Sequence, residues 1–106
     1  MIARIWRGRT PARLADAYHD YLLETGVPGY RGTAGNRGAM LLRRAHEETV
    51  EFVLLSLWES QDAIRAFAGD RFEVPVYFPE DARFLIEMPD GPGAIEHFEV
   101  LASCRG

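Results

Sequence analysis

The segment Thr49–Trp58, with the sequence TVEFVLLSLW, most constrains what this chain can fold into. Apolar residues occupy both parities of the segment, whereas a strand with one solvated face alternates apolar and polar residues. Ser60 follows as a good N-cap. Beyond it, Ala63, Ile64 and Phe67 recur at helical spacing. We therefore predict a strand that is covered on both faces, a sharp corner, and a short amphipathic helix.

The rest of the chain is predicted to supply three further strands and a longer helix. The strands are expected at residues 2–8, 39–46 and 94–101. The helix is expected to begin at Thr10-Pro11, with Thr10 as its cap, and to end near Thr25. The glycine-rich stretch 26–38 is predicted to be a loop, and a short third helix is predicted to start at Pro79.

This order of elements, β-α-β-β-α-(α)-β, is that of the ferredoxin-like, split βαβ fold. We therefore predict an α+β fold, with a four-stranded antiparallel sheet that carries its helices on one face. The other face needs a cover, and in a chain of 106 residues the cover we predict is a second copy. The expected assembly is a face-to-face homodimeric α/β barrel, built from a single domain over residues 1–106.

Composition excludes several classes of function. The net charge is −4 and there is no lysine among the twelve basic residues, which argues against a nucleic-acid partner or an anionic membrane. No apolar run approaches the roughly 20 residues of a membrane span. The single cysteine, Cys104, cannot form an internal disulfide, so we expect a cytoplasmic protein. No two histidines have the spacing of metal ligands, so no metal site is expected.

The corner sequence SLWES at residues 56–60, followed by Ala63, Ile64 and Phe67, resembles the antibiotic-biosynthesis-monooxygenase-like (ABM-like) family of the dimeric α/β-barrel superfamily. Similar stretches occur in the same order at residues 1–6, 28–30, 77–81 and 96–100. The resemblance implies a homodimer with one pocket per subunit between the sheet and its helices. It also implies one of several activities, since some members oxidise polycyclic phenols without a cofactor, others bind and degrade heme, and many have no assigned activity.

Four residues are candidate catalytic residues, each with a structural alternative. The indole N–H of Trp58 could bond a substrate oxygen, or the ring could fill the space between sheet and helix. Arg4 on a covered face needs a partner, either a carboxylate such as Glu99 or an anionic ligand. His97 could be a general base or a hydrogen-bonded interface residue, and Tyr77 could handle a proton or fill the core.

A second group is predicted to contact the substrate, with core packing as the alternative. Its members are mostly aromatic residues: Trp6, Tyr18, Tyr21, Ser56, Phe67 and Phe78. The heme degraders of the family use an asparagine on the first strand, a corner tryptophan and a histidine beyond the second helix. Here only Trp58 matches, because the one asparagine, Asn36, is in the predicted loop and residues 70–79 contain no histidine.

The sequence thus favours a cofactor-independent monooxygenase that acts on a small or polycyclic phenol. The first alternative is a non-catalytic dimer that binds a small aromatic ligand, and the second is a heme-binding protein with an unusual ligand.

Overall fold

The computed structural model describes residues 1–91 and 93–104. Its strands are β1 (Ile2–Pro11), β2 (Asn36–His46), β3 (Thr49–Trp58) and β4 (Glu96–Glu99). Its α-helices are α1 (Ala15–Glu24), α2 (Gly26–Arg31) and α3 (Gln61–Ala68), and single 3-10 turns occupy Ala12–Leu14 and Asp81–Arg83. No helix over the described residues is long and apolar enough to cross a membrane.

The four strands form one antiparallel sheet in the order β2-β3-β1-β4. β1 and β3 pair along their whole length, from Ile2 opposite Trp58 to Pro11 opposite Thr49. The short β4 pairs with the start of β1, and Arg4 lies opposite His97. The helices cover one face of the sheet, so the predicted ferredoxin-like α+β fold is confirmed.

The two faces of β3 differ within one chain. The even-numbered residues, from Val50 to Trp58, face the helices and are buried, whereas the odd-numbered ones are half-buried. The prediction that β3 is covered on both faces is therefore met on the helix side only. The opposite side, which we call the open sheet face, has an apolar part and a charged margin formed by Arg7, Arg44, Glu51 and Glu96. Its apolar part consists of Ala3, Ile5, Met40, Leu42, Val53, Leu55, Leu57 and Phe98.

The corner after β3 forms as predicted. The Ser60 side chain accepts a hydrogen bond from the backbone N–H of Ala63 at 3.2 Å and so caps α3. Gly69 ends the helix with a φ of 81°, a conformation that suits glycine. The corner places Ile64, which is fully buried, against the sheet.

Residues 26–38, predicted to be a loop, are largely regular, so that prediction was wrong. Residues 26–31 form α2 and β2 begins at Asn36 rather than Ala39. Pro28 lies in the first turn of α2, where its missing N–H leaves no helical bond unmade. Gly26 is buried where a Cβ would contact Leu22 and Leu54 at ordinary distances, so packing decides the conformation there.

Three other boundaries also differ from the prediction. β1 runs on to Pro11, because Thr10 and Pro11 still pair with β3, so Thr10 does not cap a helix and α1 begins at Ala15. The expected third helix is only the 3-10 turn Asp81–Arg83. β4 is limited to Glu96–Glu99, which is shorter than the predicted strand over 94–101.

Alanine substitutions at two glycines with positive φ are expected to destabilise the fold by different amounts. Gly35 has a φ of 88°, and a Cβ there would lie 2.5 Å from the Cβ of Ala63. Gly69 has a φ of 81° but open space around it. Gly69→Ala should cost about 1–2 kcal/mol through backbone strain alone, and Gly35→Ala about 1–3 kcal/mol more, because α3 must move. Urea unfolding measures both, and equal losses would contradict the close approach of Gly35 to α3.

Candidate functional site

A small cavity lies between the sheet and the helices, as the fold predicts. Its wall includes one buried cation, Arg4, one buried carboxylate, Asp81, and the aromatic rings of Trp6, Tyr18, Tyr30, Phe67 and Phe78. Its volume is about 20 Å³, enough for one water molecule. Two larger clefts, of about 570 and 600 Å³, are open grooves at the surface lined by many exposed charged residues. The small cavity is the site at which buried charged groups meet an apolar wall.

Arg4 is the most unusual residue of this wall. It is only 1% exposed, and its Nε and Nη2 atoms have no hydrogen-bond partner within the described chain. The guanidinium lies 5.5 Å from the centre of the Phe67 ring. Burial lowers the pKa of Arg4, an effect that the neighbouring Tyr30 opposes. Glu99, considered from the sequence as a partner, is exposed and lies opposite Ile2 instead.

Asp81 was missed by the sequence analysis, although it is buried at the same cavity. Its Oδ1 accepts a hydrogen bond from the Tyr18 hydroxyl at 2.9 Å, and its Oδ2 accepts one from the backbone N–H of Phe78 at 2.6 Å. Burial raises the pKa of Asp81 even though both hydrogen bonds oppose the shift. The only sequence signal was a carboxylate directly after an apolar stretch, which we interpreted as the start of a helix.

Two tyrosines of α1 hold the segment that closes the cavity. Tyr18 donates to Asp81, and the Tyr21 hydroxyl accepts a hydrogen bond from the backbone N–H of Glu80 at 2.9 Å. Both rings also pack on Phe84. Residues 76–81, which bring Phe78 to the cavity wall, are thereby fixed against α1.

Trp58 and Ser56 lie behind the wall rather than on it. Both are fully buried, and the Trp58 Nε1–H donates to the Ser56 Oγ at 2.9 Å. The Trp58 ring packs against Tyr30 and Phe67, with centroids 6.0 and 5.6 Å away. In this conformation the indole donor is therefore occupied by the protein itself, and Trp58 shapes the cavity through the two rings in front of it.

Tyr77 and His97 also lie away from the cavity wall. The Tyr77 hydroxyl donates to the backbone oxygen of Pro89 at 2.7 Å, and burial raises the Tyr77 pKa. His97 packs edge-on against Phe72, and its Nε2 is buried without a partner among the described residues. Burial, and then the charge of Arg4, lowers the His97 pKa, so its imidazole is neutral at neutral pH.

Five of the ten residues singled out from the sequence therefore meet at the cavity: Arg4, Trp6, Tyr18, Phe67 and Phe78. The other five, Tyr21, Ser56, Trp58, Tyr77 and His97, support or flank it. Over residues 1–91 and 93–104, no group of three His, Cys, Asp or Glu side chains is placed to hold a metal ion.

Solved structures with the same fold are known. Rv0793 from Mycobacterium tuberculosis aligns with a TM-score of 0.64 and 19% identity over 98% of each chain. The heme-degrading protein Rv3592 from the same organism gives 0.61 and 21% over 98% of each chain. NE2512, a protein of unknown function from Nitrosomonas europaea, gives 0.63 and 16% over 99% of this chain and 93% of its own.

No protein-family model matches the sequence, and no curated protein is significantly similar to it. At identities of 21% or less, these structural neighbours show that the chain shares their fold. They do not assign it an activity, which must be argued from its own residues.

The raised pKa of Asp81 predicts that the free energy of unfolding depends on pH. Because its pKa in the folded chain is raised above the ordinary 3.8, the folded state binds this proton more tightly than the unfolded state. Its contribution to the free energy of unfolding is therefore fully present below that value and is lost as pH rises through the folded pKa. Asp81→Asn should remove this loss.

Urea unfolding of the wild type and of Asp81→Asn between about pH 3 and pH 7 measures the effect. The wild type should lose stability relative to the variant as pH rises. Asp70→Asn is the control, because Asp70 is exposed just beyond α3. Parallel curves for the wild type and Asp81→Asn would contradict the prediction.

Proposed function

We propose that the protein binds a small phenolic or polycyclic aromatic molecule in this cavity and oxidises it with O₂ without a cofactor. The observation that supports this most directly is a buried guanidinium within an aromatic wall, between the sheet and the helices. An aromatic wall suits an aromatic ring, and a buried cation suits an oxygen that becomes negatively charged.

The chemistry needs little from the protein beyond acidity, orientation and a dry cavity. Loss of the hydroxyl proton gives an electron-rich phenolate, which reacts directly with O₂. A ring C–H becomes a quinone C=O, one oxygen atom enters the product, and the other leaves as water. This four-electron oxidation of the phenol matches the four-electron reduction of O₂, so no external reductant is required.

The geometry suggests how the candidate residues divide these tasks. Arg4 lies on the cavity wall and its Nε and Nη2 lack partners among the described residues, so it suits the binding of a substrate anion. His97 lies opposite Arg4 in the β1–β4 pair and suits the role of base better than Tyr77, whose hydroxyl is bonded to Pro89. Because His97 is off the cavity wall, it would act through a bridging water or once the cavity has opened. Trp58 would act as a positioning residue through Tyr30 and Phe67.

Substrate entry requires the cavity to open, because about 20 Å³ does not hold an aromatic ring. Opening would require residues 76–81, which carry Phe78, to break the hydrogen bonds that Tyr18 and Tyr21 make with Asp81 and Glu80. Displacing such a loop is a common step in substrate binding.

Oxygen consumption with a panel of phenols tests the proposal. If His97 is the base, uptake should fall as pH drops through its pKa, which lies below 6.5, because the imidazole becomes protonated. His97→Gln should lower kcat by about 10²-fold and flatten this pH dependence. His19→Gln, at an exposed site on α1, is the matched control. Uptake that the His97 variant leaves unchanged would remove His97 from the mechanism.

A non-catalytic ligand-binding protein is the second candidate. It is favoured by one observation: the Trp58 N–H and the Tyr77 hydroxyl both have partners inside the protein. Native mass spectrometry of the freshly purified protein should then show a retained aromatic ligand, with no oxygen uptake when that ligand is added back.

Heme is not supported by the residues of the cavity. The first strand has no asparagine, and residues 70–79 contain no histidine. The likeness to the heme-degrading Rv3592 therefore extends to the fold and not to a recognisable set of heme-binding residues.

We also propose that two chains pair through the open sheet face. Leu55 lies near its centre, opposite Ile5 on β1 and Met40 on β2. Met40, Leu42 and Phe98 on the same face are 54%, 46% and 51% exposed in one chain. Apolar residues this exposed and this contiguous are typical of an interface.

Leu55→Asp should convert the dimer into a monomer, because it places a charge at the centre of the proposed interface. Light scattering coupled to size-exclusion chromatography measures the mass. Leu23→Asp is the control, since Leu23 is 48% exposed on α1, on the other side of the molecule. A wild type that is monomeric at tens of micromolar would contradict the proposal.

A further inference from the structure

We infer that the natural ligand is an aromatic carboxylic acid whose carboxylate binds the Nε–Nη2 edge of Arg4. The inference rests on the proposed aromatic-binding function of the cavity and specifies the chemical class of the ligand. A phenolic hydroxyl on the same ring remains the group that would be oxidised, and Arg4 would then hold the substrate through its carboxylate rather than stabilise the phenolate.

The first step concerns the two atoms of Arg4 that lack hydrogen-bond partners. Nε and Nη2 lie on one edge of the planar guanidinium, where their N–H groups are parallel. Both are buried, and neither has a hydrogen-bond partner within the described chain. Two parallel donors of this kind match the two oxygens of one carboxylate. A phenolate has a single oxygen and cannot meet both N–H groups in line.

The second step is the contrast with the other arginines. Seven of them pair with a carboxylate of this chain at the protein surface: Arg7, Arg9, Arg37, Arg43, Arg44, Arg65 and Arg83. Arg4, at 1% exposure, is more buried than any of these, yet no carboxylate of the described residues pairs with it. An unpaired buried charge is among the most costly features in a protein, so a partner from outside the chain is expected.

The third step is that the nearby carboxylates either accept other hydrogen bonds or are exposed to solvent. Asp81 lies on the same cavity wall, but its two oxygens already accept hydrogen bonds from Tyr18 and from the backbone of Phe78. Glu99 is exposed, and so is Glu73, the carboxylate whose charge acts on His97. The chain therefore places a guanidinium on the cavity wall without a carboxylate to pair with it, and within the chain the neighbouring Tyr30 hydroxyl interacts with its charge.

The fourth step is the wall around the fork. The Phe67 ring lies 5.5 Å from the guanidinium carbon, and Trp6, Tyr18 and Tyr30 line the same cavity. Inorganic sulfate or phosphate would satisfy Arg4 but would leave this aromatic surface without a contact. An aromatic ring attached to the carboxylate uses both features.

Calorimetric titration with 4-hydroxybenzoate and with the neutral 4-hydroxybenzamide tests the inference on the unaltered protein. The two probes have nearly the same shape and the same phenol, and only the first has a carboxylate. We expect the acid to bind about tenfold more tightly or better. Equal affinities would overturn the inference, and sulfate that binds as tightly as the acid would overturn its aromatic part.

Arg4→Lys keeps the positive charge and removes the fork, so it should abolish most of the preference for the acid over the amide. Arg7→Lys is the control, because Arg7 is exposed on the same strand and points to the opposite face. A preference that survives Arg4→Lys would overturn the inference. If that variant does not fold, the NMR resonance of the Arg4 Nε–H in the wild type is the alternative measurement. A shift of this resonance on adding the acid would support the inference, and an unchanged resonance would contradict it.

These outcomes separate the inference from the proposed function. Acid that binds at Arg4 without any oxygen uptake would support the inference and contradict the monooxygenase proposal. If the amide binds and is oxidised as well as the acid is, the result would support the monooxygenase proposal and contradict the inference. Binding of neither probe would overturn both.

Discussion

The pairing of β1 with β3 is the constraint on which the site depends. Its register sets Arg4 opposite Ser56 and Trp6 opposite Leu54, so that all four side chains point towards the helices. Because successive side chains of a strand alternate, a slip of one residue would send Arg4 to the open sheet face and bring Arg7 inside. The register is fixed by burial, since the helix-facing residues of β3 include Phe52, which is fully buried. The cavity and its cation therefore follow from the same hydrophobic pattern that forms the sheet.

Local patterns in the sequence predict much of this fold. The β3 strand and the Ser60 cap need only neighbouring residues, and both are correct, whereas the cover predicted for the second face of β3 is not present within one chain. The α2 helix was missed because glycine and proline indicate a loop locally, whereas the burial of Gly26 beside Leu22 and Leu54 is a tertiary effect. Asp81 was missed for a similar reason. Its partner Tyr18 is 63 positions away along the chain, and no short-range pattern reports such a contact.

The candidate site shows the same division. Strand parity predicts that Arg4 and Trp6 share a face, and alternation along β3 places Ser56 and Trp58 side by side. Strand parity does not predict which hydrogen-bond donors lack a partner in the folded chain. The Trp58 indole bonds to Ser56, two residues away on the same face, whereas the fork of Arg4 finds no partner in the described chain. Under the proposed function, the free donors of Arg4 rather than the Trp58 indole form the binding group.

The proposed dimer and the proposed ligand are connected through the electrostatics of Arg4. The neighbours of Arg4 along β1, Ala3 and Ile5, lie on the open sheet face. If a second subunit covers that face, water is removed from the far side of the strand, and the local dielectric around the guanidinium falls further. The cost of an unpaired charge then rises, and so does the attraction of a bound carboxylate. A dimer would thus favour the occupied site over the empty one, so the two proposals support each other through the charge of Arg4.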